Sequence, residues 1–94
     1  MRIYQVDYDL REQRDYQALY ERLRSYSVWC RPLESTWIIG TTQTAAQVRD
    51  YLKGAMDPDD GILVTRLSGE AAWANVSDDR ASRYLKELLE RQAA

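Results

Sequence analysis

Two hydrophobic periods alternate along this chain, and their order limits the folds open to it. Residues 2–10 alternate with period two. Tyr4, Val6, Tyr8 and Leu10 share one face, and Ile3, Gln5, Asp7 and Asp9 share the other, the pattern of a strand with one side on a core. The first face is the more apolar, so the two acids point away from it. Residues 15–26 carry Tyr16, Leu19, Tyr20 and Leu23 at helical spacing, with Asp15 placed to cap the helix. The stretch SVWCRPLESTWIIGT, residues 27–41, reads as two short strands joined around Pro32, Leu33 and Glu34. Pro32 suits a strand end or an edge strand. Thr44 and Gln47 have capping-box spacing and open a helix with Ala45, Val48, Leu52 and Ala55 on one stripe. DPDDG at 57–61 predicts a turn, and the β-branched ILVTRLS after it predicts a strand.

The order is therefore strand, helix, strand, strand, helix, strand. It predicts an α+β chain with a ferredoxin-like βαββαβ arrangement, an antiparallel sheet and both helices on one face. A tail follows. GEAAWANV is a connector, and SDDRASRYLKELLERQAA reads as an amphipathic helix. Ser77 would cap it, Asp78 and Asp79 suit its positive end, and Ala81, Tyr84, Leu85, Leu88 and Leu89 form its apolar stripe. The chain divides into a core over 1–68 and a connector with C-terminal helix over 69–94, all in one domain.

Residue types narrow the chemistry. Histidine is absent, which excludes imidazole zinc sites and any nucleophile that relies on a histidine base. Catalysis would have to rest on carboxylates, Arg, Lys, Tyr or Ser. The formal charge of −2 argues against broad, charge-driven binding of nucleic acid. A single cysteine, Cys30, fits a reducing cytoplasm and reads as a packing residue. No apolar run approaches a membrane span, and Arg2 leads directly into a strand, so neither a membrane segment nor a leader is expected.

The topology predicts where the acids go. The C-terminal end of the first strand should lie beside the starts of the third and fourth strands and near the turn carrying Arg31 and Glu34. Asp7, Asp9, Arg31, Glu34 and Ser35 would then gather along one edge of the open sheet face. A two-fold dimer through that face would bring Asp9 near its counterpart. Two close carboxylates repel, which raises one pKa or recruits a cation such as Mg²⁺. Acids at strand ends are also commonly no more than solvated residues.

The residues resemble a known family. VDYDL is similar to the opening strand of the Cas-two group of CRISPR-associated proteins and their relatives, the VapD-like toxins, and the chain is most like small SinR-like proteins. RPLESTWIIG resembles the family's Arg-x-Gln-x-Ser-Val-Phe segment, with Arg31, Ser35 and Trp37 on the Arg, Ser and Phe, and Leu33 in place of the Gln. The resemblance spans residues 1 to about 68. It implies a ferredoxin-like homodimer in which Asp9 sits at the interface as a Mg²⁺ ligand. It also implies one of two roles. One is a homodimeric interaction or adaptor protein of a defence or toxin–antitoxin system, with a protein partner on the C-terminal helix. The other is a Mg²⁺-dependent endonuclease on RNA or DNA, using Asp9, Asp7, Arg31 and Ser35 and a basic path of Arg11, Arg14 and Arg31. Two features depart from the family, the acidic charge balance and the long C-terminal helix. That helix would pack across a dimer or cover its own sheet face, and in the second case Asp9 would lie beneath it.

Overall fold

The computed structural model describes residues 1–11 and 16–93, and their side chains other than those of residue 79 and residues 88–93. The element order is β1 (Arg2–Asp9), α1 (Gln17–Arg24), β2 (Val28–Leu33), β3 (Thr36–Thr41), α2 (Ala45–Lys53), β4 (Gly61–Arg66) and α3 (Asp79–Ala93). The four strands form one antiparallel sheet in the order β2-β3-β1-β4. Thr44 caps α2, and its side chain and that of Gln47 form the expected reciprocal capping box. Residue 15, the expected cap of α1, lies outside the described residues, as does Arg14.

Period two decides what each face buries. Tyr4, Val6, Tyr8, Trp37 and Ile39 pack with Leu19 and Leu23 of α1 and Val48 and Leu52 of α2 in the larger core. Both of these helices therefore lie on one side of the sheet. The opposite face carries a second, smaller core of Ile3, Cys30 and Ile38, closed by Ala81 and Leu85 of α3. The C-terminal helix thus packs on the sheet of its own chain. It covers the β2–β3 half of that face and stops short of Asp9, which stays exposed rather than buried beneath it.

The connector makes this possible. Leu67 N–H bonds the Ile3 carbonyl at 2.8 Å and extends the β1–β4 ladder by one position. Gly69 (φ 84°) and Asn75 (φ 54°) then take left-handed backbone that redirects the chain. An apolar cavity of about 320 Å³ remains beneath the connector, between Leu33, Ile38, Leu67, Trp73 and Leu85.

At the β2 edge the chain docks again. The Ser77 N–H donates to the Pro32 carbonyl at 2.7 Å, and its hydroxyl reaches the Arg31 and Pro32 carbonyls. Ser77 therefore holds the strand rather than capping α3. The cap is Asp78, whose carboxylate accepts from the Arg80 N–H at 2.9 Å. The same carboxylate accepts the Arg31 N–H at 3.0 Å. Among the described residues, no helix is long and apolar enough to cross a membrane.

Candidate functional site

Asp7 and Asp9 leave the same face of β1 yet meet different surroundings. Asp7 stands opposite Thr36 in the β1–β3 register. The Thr36 hydroxyl donates to one carboxylate oxygen at 2.6 Å, and the Gln5 amide donates to the other at 2.9 Å. Both oxygens are engaged in holding the sheet face together. Asp9 is the last residue of β1 and stands opposite Gly61, which has no side chain to cover it. Its side chain is 77% exposed and forms an ion pair with Arg11 at 3.6 Å. Such a solvated pair contributes about 0–1 kcal/mol.

Arg31 comes from β2, and Glu34 and Ser35 from the turn between β2 and β3. The register slips by one residue between Cys30 and Leu33, a bulge that accommodates Pro32 and its missing N–H. Alternation puts Cys30 on the α3 face and Arg31 on the α1 face. The guanidinium carbon of Arg31 lies 4.9 Å from the Tyr20 ring centroid and 5.3 Å from that of Trp37. Those two rings are stacked, 6.2 Å apart. Arg31 Nε and Nη2 donate to the Glu34 carbonyl at 2.9 and 2.6 Å. The Tyr8 hydroxyl donates to the same oxygen at 3.2 Å and accepts from Trp37 Nε1 at 3.0 Å. Burial pushes the Tyr8 pKa up and Tyr20 adds to the rise, against the opposing pull of Trp37 and Arg31. At neutral pH Tyr8 is therefore a protonated donor.

The structure brings Asp9, Arg31, Glu34 and Ser35 to one polar cavity of about 250 Å³, completed by Tyr8, Leu10 and Tyr20. Asp7 is not part of it. Asp7 and Asp9 instead share a shallower hollow with Gly61, Ile62 and Leu63 on the uncovered half of the sheet. The aromatic residues Tyr8 and Tyr20 of the cavity, and Trp37 behind it, were missed as site residues. Alternation and helical spacing marked Tyr8 and Tyr20 as apolar-face residues, and only the tertiary stack turns Tyr20 and Trp37 into a cradle for Arg31. Arg11 does lie beside Asp9, as expected.

Chemically, the cavity is lined by two exposed acidic residues, Asp9 and Glu34, and by one guanidinium that spends two donor nitrogens on a backbone carbonyl. A divalent cation held here would have Asp9 as its carboxylate ligand, with water or phosphate oxygens completing the shell. Among the described residues, three carboxylates whose oxygens all lie within 4.8 Å of one another occur elsewhere, at Asp57, Asp59 and Asp60. That turn is built around its own cation. The Lys53 ammonium donates to the carbonyls of Asp57, Pro58 and Asp60 at 2.8, 3.3 and 2.6 Å. The buried Asp60 carboxylate accepts from the N–H groups of Arg11 and Asp57 and from the Tyr16 hydroxyl. Burial raises its pKa, but those donors together with Lys53 outweigh burial and hold it below the usual carboxylate range.

Cys30 is buried beneath α3. Burial and the nearby Asp78 carboxylate push its thiol up to about 11, so it is protonated at neutral pH and inert as a nucleophile. Leu85 of the C-terminal stripe is core, whereas the side chains of Leu88 and Leu89 lie outside those described. In comparisons with known proteins, no family model matches the chain and no solved structure matches it significantly.

Proposed function

We propose that this chain is a homodimeric, non-catalytic interaction module with a ferredoxin-like core, similar to the adaptor members of the Cas-two group. The element order and the strand order β2-β3-β1-β4 support the fold reading. One observation carries the functional reading, namely that two of the four candidate catalytic residues have side chains committed to the scaffold. Asp7 is bonded to Thr36 and Gln5. Arg31 is bonded to the Glu34 carbonyl and seated on two rings. A recognition role in a defence or toxin–antitoxin type system follows from the resemblance.

The exposure of Asp9 favours a second reading, a Mg²⁺-dependent endonuclease with Asp9 as the metal ligand. The test is a cleavage assay with Mg²⁺ or Mn²⁺ on single- and double-stranded RNA and DNA, with Asp9→Asn purified in parallel. The interaction reading expects no cleavage by either protein. Cleavage that disappears in Asp9→Asn overturns it in favour of the nuclease.

A further inference from the structure

The two edges of the sheet are unequal, and hydrogen-bond parity shows what the open one presents. In an antiparallel ladder, the N–H and C=O of one residue point the same way, and the direction alternates along the strand. Tyr8 N–H bonds the Ser35 carbonyl at 3.2 Å, and Leu67 N–H bonds the Ile3 carbonyl at 2.8 Å. Even-numbered residues of β1 therefore face β3, and odd-numbered residues face β4. With Leu63 opposite Asp7 and Thr65 opposite Gln5, Gly61, Leu63 and Thr65 spend their backbone groups on β1. Ile62, Val64 and Arg66 direct theirs outward, away from the sheet.

We propose that this outer edge of β4 pairs antiparallel with the same edge of a second copy, about a two-fold axis at Val64. The proposal rests on the homodimer in the reading above and deepens it by naming the surface. Three outward residues spaced by two are self-complementary about their centre. Val64 meets its counterpart, Ile62 meets Arg66 of the second copy, and Arg66 meets its Ile62. Each of these pairs exchanges two backbone hydrogen bonds.

Charge favours the same register. The turn that directly precedes Gly61 carries Asp57, half-buried, and Asp59, exposed, beside the buried Asp60, and Arg66 stands exposed at the other end of β4. Two-fold pairing lays each Arg66 beside the acidic turn of the other copy. Leu63, 61% exposed on the uncovered half of the sheet, comes to lie beside Thr65 of the second copy. Apart from Arg66 at its end, the strand holds none of the usual deterrents to pairing, since GILVT has no charge and the strand has no proline and no bulge against β1. The opposite edge is unavailable, because Ser77 and Asp78 already occupy it.

This arrangement separates the two Asp9 residues by at least three strand spacings, about 14 Å. It is thus distinct from a dimer through the open sheet face, which would bring them together.

The experiment is residue-resolved amide exchange on the full chain across two decades of protein concentration, with sedimentation equilibrium on the same samples. The expected result is a concentration-dependent dimer in which the Ile62, Val64 and Arg66 amides exchange about tenfold more slowly as dimer forms. The Leu63 and Thr65 amides, already bonded to β1, should be protected throughout. Val64→Pro removes one outward donor without touching the β1 ladder. Arg66→Glu sets like charges together on an exposed position and leaves the core alone. Each should weaken dimerisation about tenfold or more. A dimer whose Ile62, Val64 and Arg66 amides exchange freely would overturn the edge while leaving the homodimer reading standing. A monomer at every concentration would overturn both. A dimer indifferent to Arg66→Glu and Val64→Pro would also overturn the edge.

Discussion

The β2 and β4 edges show two ways of ending a sheet. At β2 the strand itself resists pairing, because Pro32 lacks an N–H and a bulge slips the register beside it. The chain then returns to seal what is left. Ser77 takes the Pro32 carbonyl, Asp78 takes the Arg31 N–H, and α3 lies over the adjoining face. At β4 neither device operates. The contrast teaches that the segment after β4 closes the β2 edge and the adjoining half-face, while among the described residues the outer edge of β4 stays unpaired.

The largest effect should come from unseating α3. Leu85→Ala removes a buried side chain that closes the smaller core, and it should lower stability by about 2–4 kcal/mol in urea denaturation. It should also speed thiol labelling of Cys30 in native buffer. A variant whose Cys30 stays protected would break the view that α3 is the seal.

Next in size is Asp78→Ala, which removes the cap of α3 and the acceptor of the Arg31 N–H. The cost should be about 1–2 kcal/mol. The same carboxylate confers a pH dependence. Burial raises its pKa, but the Arg80 guanidinium and the N–H groups of Arg31 and Arg80 outweigh burial and hold it low. A depressed folded-state pKa means stability that is present above the ordinary carboxylate value of 3.8 and is lost as pH falls through the folded-state value. Asp78→Asn should flatten that acid limb in thermal melts at a series of pH values, and Asp60→Asn should do the same at the β4 end.

A smaller effect separates neighbours on β4. Thr65→Pro deletes an N–H that bonds β1, whereas Val64→Pro deletes one that points outward. Relative to alanine at the same position, which discounts the packing of Val64 on the larger core, the first should cost about 1 kcal/mol more in monomer stability. Equal costs would contradict the parity on which the open edge depends. Smallest of all, Asp9→Asn should leave the melting temperature unchanged, because its side chain is solvated and its ion pair with Arg11 is exposed.

Much of this was legible in the residues. Alternation gave β1 both of its faces, and Thr44 with Gln47 marked the start of α2, because these signals are local and repeat within a few residues. The turn at 57–60 was legible as a turn, but not its centre. Asp60 acts there through contacts with Arg11 and Tyr16, far away in sequence, and Lys53 through the carbonyls of the turn itself. Ser77 and Asp78 both looked like caps, since either could start a helix. Which of them caps depended on where the β2 carbonyls lay.

By itself, then, the sequence determined the order of strands and helices, the apolar face of each and the exclusion of imidazole chemistry. Those are consequences of side-chain period and residue type. Tertiary structure alone decided that α3 covers its own sheet, that Arg31 turns toward Tyr20 and Trp37, and that Asp7 is bonded while Asp9 is open. Each of these depends on which distant residue stands opposite in the register. No local pattern encodes that pairing, because it is settled only when strands remote in the chain share a ladder.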